Sequence, residues 1–211
     1  MYEFLKPILL NAEGTLEIGR KVKRDEIIKA EAILGKRLPP SFVQWLLEIG
    51  DNCYLFDGNL RISPLLPDKE KGSNIVEQLG TLNSANWGLD RNLIIFGSNG
   101  SDELWAFYTG YVINGEYPIV EIGAIFSADM RDYKLWNTSF KKFITLQSMF
   151  WSRFLNPELE PVEKVELLRE VQDIVEPKVD IASKDIYEES YSIQEIRESL
   201  ETKFWHTRYS L

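Results

Sequence analysis

Two Asn-Gly pairs set among short apolar runs constrain the fold of this 211-residue chain more than any other feature. A type I′ turn needs positive φ at both central residues, so Asn-Gly favours a tight turn between two antiparallel strands. Asn99-Gly100 and Asn114-Gly115 both have this setting. The flanking apolar runs are 93–96 and 103–109 for the first pair, and 111–113 and 119–122 for the second. The pattern predicts an antiparallel meander of at least three strands.

Side chains alternate between the two faces of a strand, which assigns the residues of the run 103–109 to faces. One face is predicted to carry Leu104, Ala106 and Tyr108, and the other Trp105, Phe107 and Thr109. An earlier hairpin is predicted where the turn-forming residues Asp57-Gly58-Asn59 separate the apolar runs 53–56 and 60–62.

Apolar residues at helical spacing bracket this strand-rich middle. Asp25 is predicted to cap a first helix that ends at Gly35, and Pro39-Pro40 opens a second helix. The spacing also predicts a helix over 73–85, and a long, deeply buried helix that Ser139 caps.

The C-terminal quarter has its own pattern. Amphipathic spacing predicts helices over 161–174 and 192–204, and an acidic connector lies between them. The second of these helices opens with the capping-box sequence Ser192-Ile193-Gln194-Glu195. We therefore divide the chain into an N-terminal segment (1–19), a central domain (20–156) and an acidic helical extension (157–211).

The charge is distributed unevenly over these parts. The chain has 33 acidic and 24 basic side chains, a formal net charge of −9, of which residues 157–211 contribute −7. A surplus of carboxylates argues against broad binding to the nucleic-acid phosphate backbone, which depends on Lys and Arg. The extension is either a solvated helical face or a surface that steers a basic partner. If it steers a partner, deletion of residues 157–211 should weaken the salt dependence of binding.

Side chains suited to catalysis or metal binding are few. The single cysteine, Cys53, excludes an internal disulfide and a multi-cysteine metal site, and its apolar surroundings predict a core position. The single histidine, His206, lies among the final six residues, where chains are often poorly ordered. Residues 97–102 lack the phosphate-loop and dinucleotide patterns and are interpreted as a hairpin turn. We expect no catalytic residue, no metal site and no cofactor.

Surface carboxylates and tryptophans are the candidates for contact with a partner. Trp87, Trp105 and Trp136 lie in or beside polar segments, where they either are exposed or cap the core, and Trp is enriched at protein interfaces. Adjacent strand residues point to opposite faces, so Asp102 and Glu103 do not converge as a catalytic pair without a bulge. The predicted partner-binding residues are Asp57, Asp102, Trp105, Glu188 and Glu189.

No apolar run reaches the roughly 18–20 residues of a membrane helix. The apolar stretch 4–10 lacks the basic region and the cleavage site of a signal peptide. We expect a soluble, cytoplasmic protein that binds neither membranes nor nucleic acid directly.

Three segments, in order, resemble the SUKH superfamily over roughly residues 20–155. Residues 27–50 read IIKAEAILGKRLPPSFVQWLLEIG and resemble the family's opening of a helix, Leu-Gly, Leu-Pro and an apolar helix ending in Gly. Residues 93–102 (LIIFGSNGSD) resemble its strand, glycine turn and Asp, with Ser101 where the family often has a further Gly. Residues 138–144 (TSFKKFI) resemble the start of its final helix.

The resemblance implies an α+β fold, with an antiparallel or mixed sheet flanked by helices, and a role in binding without catalysis. The superfamily contains the Smi/Knr cell-wall regulators of yeast and bacterial immunity proteins that resemble cytoplasmic antidotes to polymorphic toxins, often nucleases. It supplies no general catalytic residues. We therefore expect an immunity protein that binds a basic toxin domain. The alternatives are a Smi/Knr-type regulatory or scaffold module and an enzyme with an unrecognised carboxylate site.

Overall fold

A six-stranded antiparallel sheet is the centre of the molecule, as seen in a computed structural model. The structure describes Tyr2, Leu5, Leu9 and residues 16–67, 73–85, 87–100, 103–123 and 133–155. Each strand pairs with its neighbour in the sequence, so the sheet has the order β1 to β6. The strands are β1 (Cys53–Leu55), β2 (Leu60–Ile62), β3 (Leu93–Ser98), β4 (Leu104–Tyr108), β5 (Ile119–Ile122) and β6 (Tyr133–Asn137).

Four helices of the described residues accompany the sheet, which confirms the predicted α+β class. They are α1 (Arg24–Leu34), α2 (Pro40–Glu48), α3 (Ile75–Ser84) and α4 (Phe140–Phe154). Gly35 ends α1 in the left-handed conformation, and Pro40 occupies the first turn of α2, as predicted. The helices predicted over 161–174 and 192–204 lie outside the described residues.

Alternation along β4 divides the core between the two faces of the sheet. Trp105 and Phe107 belong to the larger cluster, which α1, α2 and α4 cover, whereas Ala106 and Tyr108 belong to a second cluster on the opposite face. Leu79 of α3 packs against that second cluster. The predicted assignment of these side chains to faces is confirmed.

The larger cluster is built around aromatic rings. The ring centroid of Phe42 lies 5.8, 5.1 and 4.8 Å from those of Phe96, Phe107 and Phe140, and all four side chains are fully buried. Tyr2, Leu5 and Leu9 are buried in the same cluster, so residues from the N-terminal segment contribute to this core.

Three local predictions differ from the structure. The N-cap of α1 is Lys23, not Asp25. The carboxylate of Glu26, in the first turn of the helix, accepts the Lys23 backbone N–H at 2.9 Å and thereby stabilises the helix start. The run 111–113 forms only a bridge between Ile113 and Glu116, and β5 pairs with β4 instead. No strand was predicted where β6 (Tyr133–Asn137) lies.

Substitution of Gly80, in the middle of α3, tests the effect of helix propensity alone, because an added methyl group would contact no other atoms. A Cβ at this position would have no heavy atom within 4 Å. We expect Gly80→Ala to raise the free energy of unfolding by about 0.5–1 kcal/mol, because alanine loses less backbone entropy in a helix. Urea denaturation measures the change. The control is Gly35→Ala, equally open but at φ +64°, which should lower the stability instead; a lower stability for Gly80→Ala would refute this account.

Candidate partner-binding surface

Two hairpin turns meet at one end of the sheet. The β1–β2 turn covers residues 56–59, and residues 99–100 open the β3–β4 turn. Gly58 and Gly100 both have a φ of +83°, and a Cβ on Gly100 would overlap the carbonyl oxygen of Gly58. Only glycine at position 100 satisfies both the conformation and the close approach. We call residues 56–59 and 99–100 the paired turns.

An exposed arginine and a tyrosine support the paired turns from β1 and β2. Tyr54 and Arg61 face each other across the two strands, and the guanidinium carbon of Arg61 lies 4.7 Å from the centroid of the Tyr54 ring. The hydroxyl of Tyr54 donates to the carbonyl of Asp57 at 3.2 Å. A Cβ on Gly58 would overlap the Tyr54 ring. The Tyr54 side chain therefore packs against the β1–β2 turn, and Asp57 is exposed at the tip of that turn.

The structure brings only part of the predicted set together. Asp57 lies in the paired turns, beside the start of the loop whose sequence continues to Asp102. Asp102 itself, Glu188 and Glu189 lie outside the described residues, as does His206.

Trp105 is not an exposed side chain but a core one, the second of the two positions that the sequence left open for it. It is only 2% exposed, and its ring centroid lies 5.1 Å from Trp136 and 5.0 Å from Phe143. The cause is its place on the same face of β4 as Phe107, which points into the larger core cluster. Trp87 and Trp136 are half-buried and pack against the core, which is the alternative the sequence left open.

In the part of the chain that the structure describes, the buried carboxylates of Glu121 and Asp51 accept hydrogen bonds from other parts of the fold. Glu121 is 4% exposed and accepts a hydrogen bond from Nε1 of Trp136 at 2.8 Å. Sequence reasoning missed Glu121, although a single acid within the apolar run 119–122 was the signal for it. Asp51, 3% exposed, accepts the backbone N–H of Leu65 at 3.0 Å.

The Asn114-Gly115 turn positions Glu116 against the start of α2. It returns the chain at the Ile113–Glu116 bridge, and the Glu116 carboxylate then reaches the start of α2. There it accepts the Ser41 backbone N–H at 2.8 Å and the Ser41 hydroxyl at 2.6 Å. Because Pro39 offers no side-chain cap, Glu116 supplies the acceptor and the negative charge that a helix N-terminus favours.

We expect Glu116→Ala to lower the free energy of unfolding by about 1–2 kcal/mol, because it leaves N–H and O–H donors of α2 without their acceptor. Thermal and urea denaturation measure the loss. Glu116→Gln is the matched control: it keeps an acceptor oxygen and loses only the charge, so its cost should be smaller. Equal costs for the two variants would contradict the capping role.

Cys53 is a core residue, as predicted. It is 2% exposed, and its thiol points to the backbone carbonyls of Gly50 and Asp51 at 3.7 and 3.6 Å. Burial raises the pKa of this thiol to about 12, which removes the thiolate that a nucleophile needs. Among the described residues, no group of three or more His, Cys, Asp or Glu side chains is placed to hold a metal ion.

Two hairpin turns in contact at one end of an antiparallel sheet, with helices packed against that sheet, define a domain of the α+β class. Residues 21–146 match the model of the SMI1/KNR4 family (SUKH-1). Since this match covers more than half of the chain, the chain belongs to that family, which is generally a non-catalytic, protein-binding one. No curated protein matches the chain. Among the described residues, no helix has the length and apolar character needed to cross a membrane.

Proposed function

We propose that this protein is a cytoplasmic immunity protein that neutralises a toxin by binding to it and covering its functional surface. Family membership carries the proposal, because the SMI1/KNR4 (SUKH-1) family has immunity and Smi/Knr-type regulatory roles. The proposed partner is a basic toxin domain, such as a nuclease. In this proposal the protein acts by binding alone and has no enzymatic activity of its own.

The paired turns are the proposed contact surface. They are held in one conformation by the contact between Gly58 and Gly100 and by the Tyr54 ring, so little conformational entropy is lost when they meet a partner. Asp57 is exposed at their tip and offers a negative charge to a basic surface. Asp102, Glu188 and Glu189 are proposed to extend this acidic contact.

Charge complementarity would act mainly on the rate of encounter. A chain with a net charge of −9 attracts a basic domain over a distance of about one Debye length, roughly 8 Å at physiological salt. Removing one rim charge is then expected to slow association by a few-fold, and to do so more at low salt than at high salt.

Co-expression with the toxin encoded by a neighbouring reading frame tests the proposal. The wild-type chain should restore growth and co-purify with the toxin, and Asp57→Asn should associate more slowly at low salt. Asparagine tolerates the φ of +55° at this position, so the variant removes charge and keeps the turn. Asp25→Asn, an exposed acid in the first turn of α1, is the matched control and should bind like the wild type.

Two outcomes would overturn the proposal. If the wild-type chain neither restores growth nor forms a complex, toxin neutralisation is refuted for that pair. If the gene has no toxin gene beside it, the Smi/Knr-type regulatory role becomes the better account.

A further inference from the structure

One row of side chains on the sheet lies directly beside the paired turns. All residues of β1 and β2 except Tyr54 and Arg61 belong to the larger core cluster. Side chains alternate along a strand, so Tyr54 and Arg61 point to the opposite face of the sheet. Arg61 pairs with Ser98 of β3, and Ser98 pairs with Leu104 of β4. We call Tyr54, Arg61, Ser98 and Leu104 the open row.

The open row is accessible from solvent. Arg61 is exposed, and the other three side chains are half-buried. The next row on the same face is fully buried; it consists of Ile95, Ala106 and Val120. The surface of this face therefore begins at the open row, which offers an aromatic ring, a cation and an apolar side chain to a partner.

Tyr54 and the paired turns hold the guanidinium of Arg61 in place. The guanidinium carbon lies 4.7 Å from the centroid of the Tyr54 ring, and an N–H group reaches the Tyr54 hydroxyl at 3.5 Å. Gly100 borders the same side chain, because a Cβ on Gly100 would lie 3.6 Å from Nε of Arg61. A guanidinium stacked in this way keeps N–H donors at its edge for a ligand, and it loses less side-chain entropy when it binds.

The charge of Arg61 is not matched within the described residues. The chain has 33 acidic side chains, yet no carboxylate of the described ranges forms an ion pair with Arg61. The planar guanidinium fits a carboxylate, which accepts two parallel hydrogen bonds from it. A phosphate could accept them too, but binding to a nucleic-acid backbone needs several cations, and Arg61 is the only cation of the open row.

We propose that the open row binds an acidic side chain of the partner, whose carboxylate pairs with Arg61 while an adjacent apolar group of the partner covers Leu104. This inference rests on the proposed function and deepens it. The paired turns offer a negative charge at Asp57, and the open row offers a positive one beside them. Charges of both signs fix the register of an interface, because a displaced partner would bring like charges together.

Reversing the charge of Arg61 tests the proposal, because two accounts predict opposite results. Net charge alone predicts that Arg61→Glu, a more acidic chain, binds a basic toxin domain more tightly. The proposal predicts binding weaker by roughly tenfold or more, because two carboxylates would then face each other. Titration calorimetry with the toxin domain of the neighbouring reading frame measures the affinity. Arg61→Lys keeps the charge but loses the planar donors, and it should bind about three- to tenfold more weakly.

Arg24→Glu is the matched control. It makes the same charge change at another exposed arginine, the first residue of α1, and it should bind at least as tightly as the wild type. Arg61 is exposed, so both of its variants should fold, which thermal denaturation verifies.

The outcomes separate this inference from the proposed function. If the wild type forms the complex and Arg61→Glu binds as tightly or more tightly, the role of the open row is refuted and toxin binding stands. If the wild type forms no complex, both are refuted. Binding of a labelled DNA oligonucleotide by the wild type but not by Arg61→Glu would make Arg61 a phosphate contact and would overturn the proposal.

Discussion

Phe42→Ala is expected to lower the free energy of unfolding by about 3–5 kcal/mol, the range for removing a fully buried aromatic ring. Phe42 is 0% exposed and touches rings from β3, β4 and α4, so its removal leaves a cavity where three elements meet. A domain of this size is stable by only about 5–15 kcal/mol, so the variant should be close to unfolding at physiological temperature.

Phe150→Ala is the matched control for this loss, because it deletes the same ring from a half-buried position on α4. Its ring contacts Trp151 at a centroid distance of 4.9 Å but does not lie in the buried cluster. Urea denaturation of both variants should give a loss for Phe150→Ala less than half of that for Phe42→Ala. Equal losses would mean that the ring cluster is not the centre of the core.

Gly100→Ala has the second-largest expected effect, a loss of about 2–5 kcal/mol in the free energy of unfolding. For a residue with a Cβ, the left-handed conformation at φ +83° costs about 1–2 kcal/mol of stability. The overlap with the Gly58 carbonyl adds about 1–3 kcal/mol, because a backbone atom cannot turn aside as a side chain would. The variant should also separate the paired turns.

Gly115→Ala distinguishes the two contributions. Gly115 has nearly the same φ, +81°, but a Cβ there would meet nothing within 4 Å. It should therefore lose only about 1–2 kcal/mol, measured by the same denaturation experiment. If the two alanine variants lose the same stability, the contact between the paired turns contributes nothing.

The sequence predicts most of this fold because its local signals agree with the tertiary structure. Asn114-Gly115, with positive φ at both residues, Gly35 and Pro40 each specify a backbone conformation without help from distant residues. The type I′ prediction for Asn99-Gly100 is wrong, because only Gly100 has positive φ. Residue alternation along β4 is likewise a local property, and it gave the correct faces for Trp105 and Phe107. Used consistently, that alternation would also have placed the Trp105 ring in the core rather than at an interface.

Features that depend on distant contacts could not be predicted in the same way. Glu116 caps α2 from 75 residues away, and no spacing rule connects Glu116 to Ser41. The contact between Gly58 and Gly100 exists only because β2 pairs with β3 and brings two separate hairpins side by side. The candidate surface is therefore a product of the sheet topology, although Asp57 could be chosen from its exposed turn.

The affinity of the full chain for the toxin domain of a neighbouring reading frame tests the central claim most directly. Titration calorimetry should compare the wild type, Gly100→Ala and Gly115→Ala at a temperature where all three are folded. The account predicts a complex with the wild type, an unchanged affinity for Gly115→Ala, and at least tenfold weaker binding for Gly100→Ala. No complex, or one affinity shared by all three proteins, would contradict it.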